Sequence, residues 1–211
     1  MGTVREIETP QGVARAHVQR PPRGSTTVRG SLLLGHGAGG GIEANDLRLL
    51  TSLTVDGWAV VRVEQPWRVA GKRVATASPT LDDAWVAVVE ALSTGRWKLA
   101  SPLVSGGRSA GARVACRTAE TVGAYAVLAL SFPLHPPGKP EKSRAHEASL
   151  VTAAGRALAV VQGRKDPFGT PDEIRTALGP EPAVYEAAGN HGFSRDPSDV
   201  LEHARTWLAT L

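Results

Sequence analysis

Residues 102–113 constrain the fold of this chain more than any other stretch. A short apolar run breaks at a pair of glycines, presents Ser109, and continues through small residues into Val114–Cys116, which is helical in character. This pattern predicts a buried strand, a sharp turn and a helix. Gly107 and Gly111 flank Ser109 at the positions where a side chain would force the strand and the helix into collision. The sequence therefore predicts that Ser109 projects from the turn with its hydroxyl exposed.

The five residues from Gly107 to Gly111 match G-x-S-x-G, the pattern of a nucleophile elbow. A chain with 23 Gly among 211 residues can match so short a pattern by chance, so the surrounding sequence must decide. An elbow needs a strand before it, a helix after it, an acid and a histidine downstream, and a loop upstream that can bind an oxyanion.

Strands and helices alternate along the chain. Two β-patterned runs, residues 4–8 and 13–18, flank a turn signal and predict a leading antiparallel hairpin. Further apolar runs predict buried strands over 31–34, 58–63, 125–130, 157–161 and 183–186. Helical spacing and caps predict helices from about residue 45 to 57, from Ser78 to Gly95, over 171–178 and over 200–211. We interpret 20–25 and 64–77 as loops, and 131–149 as an excursion too polar for the core that forms a rim or a small lid.

Composition limits the class of protein. The 42% hydrophobic content, without repeats or a linker, predicts one α/β domain over residues 1–211, with a mostly parallel sheet covered by helices on both faces. The net charge of +4 comes from scattered arginines, so we expect no nucleic-acid partner. The single cysteine, Cys116, indicates a reducing compartment, and the lack of a long apolar run indicates no membrane span. We therefore expect a cytoplasmic protein, and the oligomeric state is left open.

Four polar features follow predicted strands directly. They are the glycine-rich loop 35–41, Ser109, Asp166 and His191. Ligands bind at the carboxyl ends of the strands in a sheet of this kind. We expect all four features to meet at one edge of the sheet.

A serine hydroxyl needs a base before it can act as a nucleophile at neutral pH. The base should follow the acid in the order serine, acid, histidine, which leaves His191 and His203. His203 lies within a predicted helix and is expected to be solvated, whereas His191 lies in a loop between glycines. We predict His191 as the base and Asp166, which alone among the intervening carboxylates ends a strand, as the acid that orients it.

Two backbone amides would stabilise the oxyanion, one from Ala110 after the nucleophile and one from the upstream loop, most simply Ala38. His36 is expected to order that loop by hydrogen bonding. The six histidines are dispersed and no paired cysteine motif occurs, so we expect no metal and no organic cofactor.

These residues together resemble the α/β-hydrolase superfamily, in particular its small dienelactone-hydrolase-like branch. The chain is also similar to the hydrolase-like subunit of a chromatin-associated acetyltransferase complex. The matching stretches are 36–40, 107–111, 162–169 and 189–193, in the order of the family. The resemblance implies an α/β-hydrolase fold with a leading hairpin and little or no cap. Dienelactone hydrolases have a cysteine where this chain has Ser109, so their substrate does not carry over.

We therefore predict a serine esterase that acts on a small-molecule carboxylic ester through an acyl-enzyme. Four aromatic residues either line an acyl pocket or are simple packing: Trp67, Phe132, Phe168 and Phe193. Arg108, beside the nucleophile, either attracts a carboxylate on the substrate or is solvated.

Two other functions compete with the esterase. Residues 35–40 also match G-x-G-x-x-G, and Glu64 ends the next strand where a ribose-binding acid would stand, which is typical of a dinucleotide-binding enzyme. That function leaves the elbow, Asp166 and His191 unexplained. The second alternative is a non-catalytic binding or scaffold protein with the same fold.

Overall fold

One mixed sheet organises the molecule. The computed structural model describes residues 2–22, 24, 27–72 and 78–211, so parts of the predicted loops 20–25 and 64–77 lie outside the described residues. The strands are β1 (Thr3–Thr9), β2 (Gly12–Gln19), β3 (Gly30–Gly35), β4 (Trp58–Glu64), β5 (Leu103–Arg108), β6 (Ala126–Leu130), β7 (Ala157–Gly163) and β8 (Ala183–Ala187). They pair in the order β1-β2-β4-β3-β5-β6-β7-β8, antiparallel up to β4 and parallel from β4 to β8.

Helices cover both faces of this sheet. They are α1 (Asn45–Leu49), α2 (Pro66–Val69), α3 (Ser78–Leu92), α4 (Ala110–Thr118), α5 (Ala145–Ala153), α6 (Pro171–Leu178) and α7 (Ser198–Leu208). Alternate side chains of β3 face opposite cores, as the pleat requires. Leu32 and Leu34 pack in the core that includes Trp207 of α7, whereas Leu33 packs in the core that includes Trp85 of α3. The predicted α/β architecture, with a leading hairpin and helices on both faces, is confirmed.

The segment 131–149 differs from its prediction. Phe132 and Leu134 are buried at 0% and 4% exposure, and α5 begins at Ala145 and packs against α4. The polarity of this stretch is misleading because Glu147 of α5 is buried with two cationic partners, Arg113 and Arg117 of α4. An ion pair between helices thus allows a charged segment to enter the interior.

The helix predicted after residue 45 is also shorter than expected. The α-helical part is only α1, and residues Leu50–Asp56 form a tighter 3₁₀ helix that ends at Gly57 with a φ of 90°. The hydroxyls of Thr51, Ser52 and Thr54 each donate to the carbonyl three residues earlier. Such local bonds favour the tighter helix over the α-helix.

Candidate active site

Ser109 occupies a strained turn between β5 and α4. Its φ of 54° and ψ of −110° lie in a region that residues other than glycine rarely adopt. Gly107 has a φ of 154°, and a Cβ there would lie 2.5 Å from the carbonyl oxygen of Gly35 on β3. A Cβ on Gly111 would overlap the backbone of Gly35 as well. Close packing of α4 against β3 therefore requires glycine at both positions.

The structure brings Ser109, His191 and Asp166 into one hydrogen-bonded chain. The Nε2 atom of His191 lies 2.8 Å from the Oγ atom of Ser109. Its Nδ1 atom lies 2.8 Å from the Oδ2 atom of Asp166. With the ring proton on Nδ1, the imidazole donates to the carboxylate and its Nε2 accepts from the hydroxyl. This arrangement can move a proton from Ser109 to His191.

Asp166 is held in place by donors that the sequence analysis did not identify. Its side chain is fully buried at 0% exposure. The amide of Phe168 donates to Oδ1 at 2.8 Å, and the Nε2 atom of Gln162 donates to Oδ2 at 2.9 Å. Gln162 also donates to the carbonyl of Gly169 at 2.7 Å, which fixes its amide. A glutamine within the apolar run of β7 was the signal that could have revealed this contact.

A tight turn after β8 presents His191. The amide of Phe193 donates to the carbonyl of Asn190 at 2.9 Å, and the amide of Gly192 donates to Asn190 Oδ1 at 2.9 Å. Phe193 is buried at 6% exposure and anchors the turn in the core. Phe168 lies beside the imidazole of His191, with 4.2 Å between ring centroids. The imidazole is therefore confined by a turn on one side and a ring on the other.

The glycine-rich loop after β3 lies against Ser109. A Cβ on Gly37 would be 3.3 Å from the Cβ of Ser109. His36 orders this loop, because its Nε2 accepts from the amide of Gln65 at 3.1 Å and its Nδ1 therefore donates to the carbonyl of Gly37 at 2.8 Å. Burial lowers the pKa of His36, which favours this neutral form.

The two alanines predicted to bind an oxyanion lie at this same place in the fold. Ala38 follows Gly37 and is exposed, and Ala110 is the first residue of α4. In the described part of the chain, neither of their amides donates a hydrogen bond to a protein acceptor. Free amides at a helix N-terminus and in an adjoining loop are the type of donor that an oxyanion requires.

The predicted pocket aromatics have different surroundings. Trp67, Phe132 and Phe193 are buried in the cores at 4%, 0% and 6% exposure. Phe168 is partly exposed and contacts His191. Among these four residues, Phe168 is thus the one that combines partial exposure with a contact to His191.

Arg108 is not solvated, because protein groups enclose most of its side chain. Its side chain is only 15% exposed, its Nε atom lies 3.4 Å from Oδ2 of Asp46, and its Nη2 donates to the carbonyl of His191 at 2.9 Å. Asp46 itself is 3% exposed on α1. Burial raises the pKa of the Asp46 carboxyl, and the charge of Arg108 opposes that shift.

The described residues hold neither a metal-binding cluster nor a membrane-spanning helix. Within 2–22, 24, 27–72 and 78–211, no group of three or more His, Cys, Asp or Glu side chains could hold a metal ion. None of the helices described in these ranges has the length and apolar character needed to cross a bilayer. Cys116 is buried, and burial raises the pKa of its thiol to about 12, so it is unreactive at neutral pH.

The strand order, the turn at Ser109 and the convergence of four loops at one sheet edge define an α/β-hydrolase fold. The family model for the alpha/beta hydrolase domain matches residues 28–210. The chain therefore belongs to the α/β-hydrolase domain family. No curated protein sequence matches the chain.

Solved structures with the same fold cover nearly the whole chain. XC6422 from Xanthomonas campestris, an α/β serine hydrolase without a lid, has 20% identity and a TM-score of 0.73, with 98% of this chain and 94% of that chain covered. An α/β serine hydrolase homologue from Coxiella burnetii has 17% identity and a TM-score of 0.75, with coverage of 99% and 96%. Est1E from Butyrivibrio proteoclasticus, in its complex with ferulic acid, has 16% identity and a TM-score of 0.79, with coverage of 98% and 98%. At these identities the likeness establishes the fold.

Proposed function

We propose that this protein is a serine hydrolase that cleaves small carboxylic esters through an acyl-enzyme. The observation that carries the proposal is the chain of two 2.8 Å contacts from Ser109 through His191 to the buried Asp166. It supplies a nucleophile, a base and an orienting anion in the order that acyl transfer needs. Three such groups, distant in sequence, meet at the strained turn of a fold that the solved serine hydrolases share.

The proposed reaction has two halves. Ser109 Oγ attacks the ester carbonyl while His191 Nε2 accepts the hydroxyl proton. Collapse of the tetrahedral intermediate breaks the bond to the alcohol, which leaves with the proton from His191, and the acyl group stays on Ser109. Water then attacks the acyl group, His191 again accepts and returns a proton, and the carboxylic acid departs. Asp166 stabilises the imidazolium form in both halves.

Ala38 and Ala110 are the proposed oxyanion donors. Among the described residues neither amide has a protein acceptor, because that of Ala110 opens α4 and that of Ala38 lies in the loop that His36 orders. Preorganised amides of this kind stabilise negative charge on the carbonyl oxygen as it develops in the transition state. The mechanism needs no metal or organic cofactor.

The proposed substrate is a small-molecule ester whose acyl or alcohol group contacts Phe168. This ring is partly exposed beside His191, which supports a contact with substrate next to the reacting carbonyl. The solved structure of Est1E holds ferulic acid, an aromatic carboxylic acid, which makes aromatic esters a reasonable part of the test set. The cytoplasmic location expected from the single cysteine stays a prediction.

A panel of p-nitrophenyl esters of graded chain length, with phenolic esters added, tests the proposal. We expect measurable turnover by the wild type and a loss of at least about 10³-fold in Ser109→Ala. Ser105→Ala is the matched control. Ser105 lies buried on β5, the strand that leads to Ser109, and its hydroxyl has no hydrogen bond among the described residues. Turnover that survives in Ser109→Ala would refute the proposal.

The two alternatives predict other outcomes. A scaffold protein would be well folded and hydrolyse none of the esters, and a dinucleotide-binding enzyme would be stabilised against heat by NAD or NADP. Gly37 lies against Ser109, as expected of a loop that serves this nucleophile. Its position favours the hydrolase over the dinucleotide enzyme.

A further inference from the structure

The backbone of His191 is bonded to the residue that precedes Ser109. Glycines precede and follow Asn190 and His191, and the imidazole side chain is 20% exposed. The carbonyl of His191 accepts one hydrogen bond in the part of the chain that the structure describes, and Arg108 Nη2 donates it at 2.9 Å. Arg108 directly precedes Ser109. The residue before the proposed nucleophile is therefore bonded to the residue that is the proposed base.

The guanidinium of Arg108 is itself held by the other loop of the site. Its Nε atom lies 3.4 Å from Oδ2 of Asp46, the second residue of α1, which follows the loop containing Ala38. A Cβ on Gly40 would lie 3.5 Å from Nη1, and a Cβ on Gly192 would lie 3.4 Å from Nη2. The guanidinium thus fills the space between the oxyanion loop and the His191 loop, and glycines on both sides admit it.

A purely structural ion pair would be expected to satisfy more of its atoms. Oδ2 of Asp46 and Nε of Arg108 are both buried, and neither has a hydrogen bond among the described residues. Taking these charges out of water is costly, and the 3.4 Å separation recovers only part of the cost. An arrangement of this kind is more readily explained by what it positions than by the stability it adds.

We propose that Arg108, anchored by Asp46, is a positioning residue that fixes the backbone of His191 relative to Ser109. This inference rests on the proposed hydrolase function, since it gives His191 the role of base. Rigid placement matters because an error of about 1 Å in such a geometry can lower the rate by about 10²-fold. Arg108 would act through His191 and would not contact the substrate.

The test compares Arg108→Met with Arg117→Met. Arg117 is a matched control, since its side chain is also 15% exposed and is held by the buried Glu147 and the half-buried Asp82, but it contacts neither Ser109 nor His191. With the best p-nitrophenyl ester, we expect Arg108→Met to lower kcat by about 10- to 100-fold while KM changes less than about threefold. Arg117→Met should lower the melting temperature at least as much as Arg108→Met does, and it should leave kcat within about twofold of wild type.

An NMR measurement that needs no turnover tests the positioning role of Arg108 separately from the proposed hydrolase function. The imidazole Nδ1 proton of His191, bonded to Asp166, should give a downfield proton NMR signal that is lost in His191→Ala. We expect this signal to shift or broaden in Arg108→Met and Asp46→Asn, to be partly restored in Arg108→Lys, and to be unchanged in Arg117→Met.

A wild-type signal and a wild-type kcat in folded Arg108→Met would overturn the positioning role while leaving the hydrolase intact. A wild type that hydrolyses no ester but loses the signal in Arg108→Met would overturn the hydrolase function and leave the positioning of His191 standing. The Arg108→Met/Asp46→Asn double variant should lose less kcat than the product of the two single losses, because the two residues act through one contact.

Discussion

Two groups of buried and half-buried charges lie along helix α4, and they are built differently. In the middle and last turns of the helix, Glu147 accepts from Arg113 at 2.7 and 2.6 Å and from Arg117 at 3.0 Å, and Arg117 also binds Asp82 at 2.8 and 2.7 Å. We call these four residues the helix charge network. At the start of α4, Arg108 Nε and Asp46 Oδ2 are 3.4 Å apart and have no hydrogen bond among the residues that the structure describes, next to a Ser109 with a φ of 54°.

The difference shows where the molecule gains stability and where it gives stability up. The helix charge network pairs two cations with two anions through short bonds, so it joins α3, α4 and α5 without leaving a charge uncompensated. The site end of α4 combines a strained serine, an underpaired ion pair and a fully buried Asp166. Strain and incomplete pairing of this kind concentrate at functional sites. Substitutions at the two ends should therefore separate activity from stability.

The largest expected effect is on activity at the site end. Asp166→Asn keeps the shape of the side chain but removes the anion that orients His191, so we expect kcat to fall by about 10⁴-fold. Steady-state kinetics on the best ester, together with a thermal melt, would measure it. Asp172→Asn is the control, because that carboxylate is 91% exposed on α6 and should be replaceable without effect. An Asp166→Asn variant within tenfold of wild type would show that the carboxylate is not part of the mechanism.

The next effect is on stability at the helix charge network. Burial raises the pKa of the Glu147 carboxyl, but the hydrogen bonds and charges of Arg113 and Arg117 outweigh it and leave the pKa below its usual value. Glu147→Gln leaves two half-buried arginines short of one anion, and we expect the free energy of unfolding to fall by about 2 kcal/mol at pH 7. The kcat of the folded variant should stay within about twofold of wild type.

Acid should remove the difference in stability between the wild type and Glu147→Gln. Because the folded-state pKa of Glu147 is depressed, its contribution is complete above the unfolded pKa of about 4.3 and is lost as the pH falls through the folded value. Urea unfolding of the wild type and Glu147→Gln from pH 7 to pH 3 should show the two stabilities converging below about pH 4. A gap that stays constant with pH would contradict the assignment of the stabilisation to the ionised carboxylate.

The smallest expected effect comes from two glycines of one loop. A Cβ on Gly37 would lie 3.3 Å from Ser109 Cβ and 3.4 Å from the Arg108 carbonyl, whereas a Cβ on Gly39 would have no neighbour within 4 Å in the described part of the chain. We expect Gly37→Ala to lower kcat/KM by about tenfold with less than about 1 kcal/mol of lost stability. Gly39→Ala should match the wild type in both measurements. Equal activities of the two variants would show that the loop does not approach the reacting atoms.

Local sequence signals were sufficient to locate the strands along the chain and the polar residues that follow them. The glycines around Ser109 predict the turn, and the position of Asp166 and His191 after strands predicts that both reach one edge of the sheet. The structure places both beside Ser109, and their catalytic roles stay predictions. These features could be found because they depend on the backbone path of the fold.

Contacts between distant side chains could not be found in this way. The predicted strand 157–161 stops before Gln162, and a polar residue directly after an apolar run does not by itself identify Asp166 as its partner. Helix α5 looks like a polar excursion until Arg113 and Arg117 are seen to neutralise Glu147. The short helix α2 lies in a stretch predicted to be a loop, and its Trp67 is buried against His36. In each of these cases, burial depends on partners in other elements.

Mass spectrometry of the intact protein after treatment with a fluorophosphonate tests the central claim most directly, because the reagent labels a serine only where a base activates it. We expect one adduct per chain, located on Ser109 by peptide mapping. The adduct should also form in Ser105→Ala, be absent in Ser109→Ala, and form far more slowly in His191→Ala. A folded wild type that acquires no adduct, or an adduct that persists in Ser109→Ala, would contradict it.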